Sequence, residues 1–356
     1  MTWNLEKILK AARRLKASDV HLITNMAPLL RIGGEIRPVE GEPLDAEQLQ
    51  SITNSILNEK HREQLDRDWQ LCLSRHLPDL GRFRISIYYH SGVPEMAIRL
   101  CETEVRTRED LHLPPIVEEL TRLPNGLILV TGQTGMGKTT TLSFMVDCIN
   151  RTRRSKIVMI EDPIEFVHQN QRSIVVQQEV MTDVKSYSDA LLHVLRQDPD
   201  VIVIGEMRSL ETIETALTAA ETGHLVLATL HTPDSVQTIQ RIFSVFPGEQ
   251  QNSIVTQIAN CLQAIICQRL LPRADGQGQV LASEICVVNH AIRNHIRERE
   301  TQQIYSVIQT GRKHQMQTMD SALLELYQRG EITYDMAVSN AREPAYIRNV
   351  EAKSSS

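Results

Sequence analysis

The sequence predicts an α/β fold in which a mostly parallel sheet covered by helices follows a smaller α+β domain. One observation is the change of pattern at Gly126, where short apolar runs rich in β-branched residues begin to alternate with helical segments. A second is a glycine-rich loop directly after the first of these runs. A third is the length of 356 residues with 41% hydrophobic residues, which is enough for two domains with separate cores.

The N-terminal part of the chain has the pattern of a small α+β domain. Apolar residues recur at helical spacing over residues 4–16, and residues 19–24 alternate like a strand. Gly33-Gly34 separates two short apolar runs and predicts a hairpin. The other elements predicted here are a helix over 44–65 and strands over 29–32, 36–39, 81–89 and 94–100.

A polar stretch over residues 102–110, ending near Pro114-Pro115, predicts a linker between the domains. The predicted elements beyond it are strands over 127–131, 157–160, 201–204 and 225–230 and helices over 139–149, 320–329 and 334–341. We therefore expect an N-terminal domain over 1–101, a linker over 102–115, a second domain with a helical C-terminal part over 116–350, and a tail over 351–356.

The composition narrows the class of function. A formal net charge of -6 gives no basic field for a phosphate backbone, and 4% aromatic residues offer little for base stacking, so nucleic acid is disfavoured as a partner. None of the 6 cysteines has C-x-x-C spacing, which indicates reduced thiols. No apolar stretch approaches the roughly 18 residues of a membrane span, and the N-terminus lacks a signal-peptide pattern. We expect a cytoplasmic protein without direct membrane insertion.

Residues 132–139 match the pattern G-x-x-x-x-G-K-[ST] between an apolar strand and a helical segment, the context that a phosphate-binding loop requires. The glycines let backbone N–H groups surround a phosphate, and the helix N-terminus adds partial positive charge. Lys138 is placed to bridge the β- and γ-phosphates of ATP, and Thr139 to offer its hydroxyl to Mg²⁺. The residues predicted to bind the nucleotide are Gly132, Thr134, Gly135, Met136, Gly137, Lys138, Thr139 and Thr140.

Hydrolysis also needs a carboxylate near the γ-phosphate, and parallel strands present such groups at their carboxyl ends. The run over 201–204 ends in Gly205-Glu206, and the run over 157–160 ends in Glu161-Asp162. Glycine stands where P-loop proteins commonly have the aspartate that holds magnesium. We therefore expect Mg²⁺ to rely on Thr139, water and Asp162.

Glu206 is then free to orient the attacking water, with Glu161 as the second candidate. The alternative is that these carboxylates only cap strand ends. His231 follows the run over 225–230 and can hydrogen-bond a phosphate oxygen and sense its loss, although a structural role is the alternative.

Four blocks, in this order, resemble the secretion-ATPase superfamily and specifically its PilT-type pilus retraction motors. The resemblance covers nearly the whole chain. The blocks are the phosphate loop, residues 160–168 as the Asp box, residues 195–208 as an atypical Walker B that also lacks the usual Asp, and residues 222–232 as the His box.

The resemblance implies a RecA-like ATPase domain behind a PAS-like N-terminal domain, whose segments 17–22 and 81–84 look like those of the family. In the family, arginines of that domain reach a neighbouring subunit's nucleotide, which implies this role for Arg82 and Arg84. The resemblance further implies a homo-oligomer, specifically a hexamer, that hydrolyses ATP to retract type IV pili for twitching motility. The implied partner is an inner-membrane pilus platform protein, through which the motor is peripheral to that membrane.

Residues 291–298 resemble the AIRNLIRE motif of retraction motors, with His295 in place of the leucine. Ile292 and Ile296 share one face of a helix with this histidine, whereas Arg293 and Arg297 form an adjoining face that can dock a partner. The alternative is an ordinary amphipathic core helix. Extension motors carry a zinc-binding cysteine cluster, whose spacing this chain lacks, so the retraction type is favoured.

Two residues of the phosphate loop depart from the family pattern. Gln133 and Met136 stand where the family has Pro and Ser, but the glycines, Lys138 and Thr139 are kept.

Three functions compete with that of a retraction motor. The chain can be an ATPase of a related secretion or conjugation system, or a non-hydrolysing ATP-binding regulator of a pilus motor. A RecA-like protein acting on nucleic acid shares the fold class but needs a basic channel.

Overall fold

The computed structural model describes residues 3–101 and 104–354. The chain divides into two compact units, of which the first comprises Met1–Glu104 with Pro163–Val167 and the second Val105–Asp162 with His168–Ser356. The linker predicted over 102–115 stays a prediction. In its described part, Val105 and Leu111 pack against the core of the second unit.

The first unit is an antiparallel sheet covered by helices. Its strands lie in the order β3-β2-β1-β6-β5-β4 and each pairs antiparallel with its neighbours. Buried side chains of the helices and of the sheet, among them Leu9, Leu49 and Phe83, form one core. The elements are α1 (Leu5–Arg14), β1 (Asp19–Leu22), β2 (Leu29–Ile32), β3 (Glu35–Pro38), α2 (Ala46–Ile56), α3 (Glu59–Asp68), β4 (Gln70–Leu77), β5 (Gly81–His90) and β6 (Val93–Leu100).

The hairpin predicted at Gly33-Gly34 is confirmed, and both glycines have positive φ. The single helix predicted over 44–65 is wrong, because two helices occupy this region. The first ends at Ile56, and Asn58 begins the second, since its side chain accepts a hydrogen bond from the backbone N–H of His61. β4 was not predicted.

The second unit contains a mostly parallel sheet in the order β13-β12-β7-β11-β10-β8-β9, in which only β13 pairs antiparallel among the described strands. The predicted parallel sheet is confirmed. The sheet and its helices are α4 (Ile116–Leu120), β7 (Gly126–Thr131), α5 (Lys138–Thr152), β8 (Lys156–Glu161), β9 (Ile174–Glu179), α6 (Tyr187–Val194), β10 (Val201–Ile204), α7 (Leu210–Glu221), β11 (Leu225–Leu230), α8 (Ser235–Val245), α9 (Gln251–Cys261), β12 (Leu262–Pro272) and β13 (Gln279–Val287).

Alternate side chains of the central strands enter two cores on opposite faces of the sheet. Leu127 and Leu129 of β7 belong to the core covered by α6 to α9, whereas Ile128 and Val130 belong to the core covered by α4 and α5. Burial on both faces explains why these strands read as continuous apolar runs.

A helical C-terminal part completes the second unit, as predicted. Asp320 is buried in it and accepts hydrogen bonds from the backbone N–H groups of Arg342 and Glu343 before the last helix. The helices are α10 (His290–Arg297), α11 (Gln303–Thr310), α12 (Met319–Gln328), α13 (Tyr334–Asn340) and α14 (Pro344–Ser354). Within the described parts of the chain, every helix is too short or too polar to cross a bilayer.

Helix α10 carries the motif of residues 291–298, and its arginine face differs from our expectation. Ile292 and Ile296 are fully buried. Arg293 donates hydrogen bonds to the carbonyl oxygens of Ala259 and Asn260, the last turn of α9, at 2.5 and 2.8 Å. A helix end leaves such carbonyls without partners inside the helix, so the guanidinium caps α9. The predicted docking face is thereby reduced to Arg297, which is exposed.

We expect Arg293→Ala to lower the free energy of unfolding by about 1–3 kcal/mol, because it leaves the carbonyl groups at the end of α9 without their charged donor. Arg297→Ala is the matched control. Its guanidinium makes one hydrogen bond, to the Asn260 side chain at 3.1 Å, and an exposed contact of this kind is worth less than about 0.5 kcal/mol. Urea denaturation of both variants measures the difference, and equal losses would contradict the assignment.

Candidate functional site

The strand order brings the predicted chemical groups to one edge of the sheet. β7, β11, β10 and β8 are parallel neighbours, so their carboxyl ends meet there. The phosphate loop follows β7, His231 follows β11, Glu206 follows β10, and Glu161 ends β8. Residues far apart in the sequence thus line up along one edge, in an order that differs from their order in the chain.

The phosphate loop has a backbone that only glycine adopts readily. Gly137, the N-cap of α5, has a φ of 77°. Gly132 has a φ of 143°, and a Cβ there would lie 2.5 Å from the carbonyl oxygen of Gln268. Residues 133–135 are exposed at the tip of the loop, as a loop that receives a phosphate must be.

Lys138 is buried at the start of α5, with its ammonium inside the curve of the loop. Nζ donates to the carbonyl oxygens of Gly132 at 2.8 Å and Gln133 at 2.9 Å. It also lies 3.3 Å from Nδ1 of His231. Carbonyl oxygens of the loop itself therefore hold the charge at the position from which it can reach a phosphate.

His231 bridges Lys138 and Glu206. An ammonium group only donates hydrogen bonds, so Nδ1 of His231 accepts and Nε2 carries the hydrogen. Nε2 lies 2.8 Å from Oε1 of Glu206. The three side chains form one hydrogen-bonded chain from the phosphate loop to the carboxylate.

The turn that carries Glu206 is fixed to β11. The Thr229 hydroxyl donates to the carbonyl oxygen of Gly205 at 2.5 Å, and the backbone N–H of Met207 donates to the carbonyl oxygen of Thr229 at 3.0 Å. Nε of Arg208 donates to Oε1 of Glu206 at 2.5 Å. His231 and this exposed arginine thus hold the same carboxylate oxygen, Oε1 of Glu206.

Glu161, the second candidate base, is buried and is held by a separate network. Its Oε1 accepts a hydrogen bond from Nε2 of Gln177 on β9 at 2.8 Å. Oε1 of Gln177 accepts from the backbone N–H of His168 at 2.9 Å, and the His168 ring lies 3.1 Å from the hydroxyl of Ser143 on α5. This network connects the strand end to the helix of the phosphate loop.

The oxygen atoms at this edge fit magnesium. Thr139 and Thr140 are half-buried in the first turn of α5, and Asp162 is exposed after β8. Mg²⁺ takes oxygen ligands and is usually held by one or two carboxylates together with water and substrate phosphates. Over residues 3–101 and 104–354, no group of three His, Cys, Asp or Glu side chains is arranged to hold a metal by itself.

The two departures in the phosphate loop leave its shape intact. Gln133 is exposed. Met136 turns towards β12, where its sulfur accepts a hydrogen bond from the backbone N–H of Leu270 at 3.2 Å. The methionine thus connects the loop to the sheet without occupying the positions of the glycines or Lys138.

Arg82 and Arg84 lie in the first unit, on the half-buried face of β5, with the buried Phe83 between them on the other face. Nε of Arg84 lies 3.4 Å from the sulfur of Cys72. Since the other site residues belong to the second unit, the role of these arginines in a neighbouring subunit stays a prediction.

Three residues of this edge had no predicted role: Gln177, Arg208 and Tyr187. Gln177 was missed because β9 was not predicted. Arg208 is the last residue of the Walker B block over 195–208, and its position two residues after Glu206 was the only indication of its role. Tyr187 begins α6, and its hydroxyl lies beside Gly205, 2.8 Å from where a Cβ of that residue would be. Nothing in the sequence connects it to the strand ends.

The comparison with protein families matches residues 2–355 to the type II/IV secretion system protein family. The match spans nearly the whole chain, and the fold and the strand-edge site agree with it. The chain belongs to this family.

Relatives within the family point to one branch. The chain is 40% identical to the type IV pilus retraction ATPase PilT of Pseudomonas aeruginosa over 97% of this chain and 98% of that protein. It is 38% identical to a twitching motility protein of Neisseria gonorrhoeae over 96% and 91% of the two chains. A crystal structure of the pilus retraction motor PilT with bound ADP is 44% identical in sequence and has a TM-score of 0.92. The match covers 98% of this chain and 99% of that one. The resemblance to PilT-type motors is confirmed.

The buried His168 predicts a pH dependence of stability. Burial lowers its pKa from 6.5 to about 4, so the unfolded chain binds a proton between these values that the folded chain does not. Stability is therefore lost as the pH falls from 6.5 to about 4, by about 3 kcal/mol at the limit. We expect His168→Gln to flatten this part of the melting-temperature profile, whereas His193→Gln, an exposed control, keeps it. Parallel profiles for all three proteins would refute the assignment.

Proposed function

We propose that this chain is an ATP-hydrolysing motor that powers the retraction of type IV pili. The observation that carries the proposal is the hydrogen-bonded chain of Lys138, His231 and Glu206 behind a phosphate loop. The similarity to pilus retraction ATPases over nearly the full length of both chains supports the coupling of this site to retraction.

In nucleotide binding, the loop from Gly132 to Thr139 surrounds the β-phosphate with backbone N–H groups, as such loops do. The predicted contacts of Thr134, Gly135, Met136, Gly137 and Thr140 belong to this loop and its helix. Lys138 exchanges the carbonyl oxygens of its own loop for phosphate oxygens. Its ammonium is already in place, so binding requires little rearrangement of a buried charge.

In hydrolysis, Glu206 is the proposed water-orienting carboxylate. His231 donates to one of its oxygens and fixes its direction, while the other nitrogen of the ring faces Lys138. Loss of the γ-phosphate changes the partners of Lys138, and the ring transmits that change to Glu206. His231 therefore acts as the sensor, and Glu161 remains the alternative base.

Thr139 and Asp162, together with water, would hold the magnesium ion that accompanies the nucleotide. The ion would neutralise phosphate charge when bound. The residues of this chain contribute the hydroxyl, the carboxylate and the orientation of Glu206.

The mechanical output requires partners. We propose a homo-oligomer, by resemblance a hexamer, that binds an inner-membrane pilus platform protein and is peripheral to that membrane. Arg297, exposed on α10, is a candidate contact for this partner.

We expect Lys138→Ala to abolish nucleotide binding, and Glu206→Gln to keep binding but to lower turnover by about 10² to 10⁴, the range for a positioned base. Fluorescent-nucleotide binding and phosphate release measure the two steps separately. Lys185→Ala and Glu214→Gln, both exposed in the same unit, are the charge-matched controls and should resemble the parent.

Each outcome decides between assignments. Parent-like turnover of Glu206→Gln transfers the role of base to Glu161. A parent chain that binds ATP and releases no phosphate is the non-hydrolysing regulator, and the motor proposal is then wrong. Failure to restore retraction in a deletion strain, despite ATPase activity, favours a related secretion or conjugation system.

The proposed arginine action between subunits predicts complementation. Lys138→Ala chains and Arg84→Ala chains are each expected to be inactive, because an arginine on the developing phosphoryl charge contributes about 10³ to 10⁵ in rate. Mixed oligomers should regain part of the activity, since Arg84 of one chain can serve the intact loop of the other. Arg82→Ala should behave like Arg84→Ala.

Exchange between subunits must be verified in the same samples, for example by fluorescence transfer between labelled chains. Arg67→Ala, an exposed arginine on α3, is the control and should be active without mixing. Well-mixed oligomers without recovery would show that Arg84 does not act in a neighbouring site.

A further inference from the structure

Tyr187 places a hydroxyl group at the carboxyl edge of the sheet. It is the first residue of α6, directly after the N-cap Ser186, and its ring packs against the core beneath the sheet. A Cβ on Gly205 would lie 2.8 Å from the phenolic oxygen and 3.2 Å from the carbonyl oxygen of Ile160. The hydroxyl therefore lies beside the glycine that follows β10, towards β8.

The location of the tyrosine hydroxyl explains why position 205 is a glycine. Any side chain on Gly205 would begin in the space that the tyrosine hydroxyl and the end of β8 occupy. P-loop proteins commonly have an aspartate at this position. Here an oxygen atom reaches the same place from α6, and this oxygen carries no formal charge.

The surroundings of the hydroxyl are acidic. Burial, followed by the charges of Asp162, Glu206 and Glu161, raises the pKa of Tyr187 well above its usual value, so the phenol stays protonated. No described residue makes a hydrogen bond to this hydroxyl. A protonated phenol can donate one hydrogen bond and accept another, and both capacities are available at the edge where the nucleotide is proposed to bind.

We propose that Tyr187 is a positioning residue for the magnesium–nucleotide complex, whose hydroxyl accepts a hydrogen bond from a water of the magnesium hydration shell and donates one to a neighbouring carboxylate. The inference rests on the proposed function and adds a residue to the same site. Water bound to Mg²⁺ is polarised and is a strong donor, and Mg²⁺ keeps several of its waters in protein sites. A neutral oxygen satisfies such a water without adding a fourth negative charge beside Asp162, Glu161 and Glu206.

Tyr187→Phe removes the hydroxyl alone and tests the proposal by binding rather than by turnover. The measured quantity is the ratio of fluorescent-ADP affinity in excess Mg²⁺ to that in excess EDTA. Loss of one hydrogen bond to the magnesium shell should lower this ratio by about two- to tenfold, with the affinity in EDTA unchanged. Tyr334→Phe is the matched control, since Tyr334 is also half-buried and also the first residue of a helix. It should keep the parent ratio.

Gly205→Ala provides a second, independent route to the same hydroxyl. The added Cβ displaces the phenolic oxygen, so this variant should also lower the ratio. In the double variant with Tyr187→Phe the two losses should not add, because both act on one contact. Additive losses would mean that the alanine acts elsewhere.

The outcomes separate this inference from the proposed function. An unchanged ratio in Tyr187→Phe, with or without a lower melting temperature, shows that the hydroxyl only packs and overturns the inference. A parent chain that binds ADP with a magnesium-dependent ratio but does not hydrolyse ATP refutes the motor while the test of Tyr187 still stands. A parent chain that binds no ADP overturns both.

Discussion

The parallel pairing of β7, β11, β10 and β8 is the constraint on which the site depends. Backbone hydrogen bonds fix the register of these strands, and the register fixes how far each strand end projects. β11 lies between β7 and β10, so the residue that follows β11 has the phosphate loop on one side and Glu206 on the other. A slip of one residue would turn the buried side chains of a strand to the opposite core, where they do not fit.

In this order, His231, which follows β11, lies between Lys138 and Glu206 and contacts both. A direct contact between Lys138 and Glu206 would compensate the charge of the proposed water-orienting carboxylate and would tie the ammonium of the loop to it. His231 lies between them, 3.3 Å from Nζ of Lys138 and 2.8 Å from Oε1 of Glu206. The two charged groups are therefore connected through the imidazole ring and do not form a direct ion pair. This separation lets the lysine turn to a phosphate while Glu206 keeps a donor.

The sequence predicted the centre of the second unit well, and physical chemistry explains where it failed. β7, β8, β10 and β11 are buried on both faces and therefore appear as apolar runs. β9 lies at the edge of the sheet and is partly polar, so it does not appear as an apolar run. Because β9 was not predicted, the role of Gln177 was not predicted either. β12 follows α9 without a break at Cys261, and an apolar run that continues a helix does not show where a strand begins. The helix predicted over 44–65 failed because Asn58 caps a new helix in mid-pattern.

Side-chain chemistry that depends on tertiary contacts could not be predicted at all. The motif of residues 291–298 suggested a docking face, but the cap that Arg293 provides depends on the position of α9, which the motif does not encode. Gly205 likewise read as a missing aspartate, because a sequence shows the absence of a side chain and not the oxygen that another helix brings to the same place. The carboxylates of Glu161, Asp162 and Glu206 repel one another most strongly where water is scarce, and one more charge at position 205 would increase that repulsion. A neutral hydroxyl at that position keeps an oxygen for hydrogen bonding and avoids this cost, which makes the glycine and Tyr187 a single structural solution.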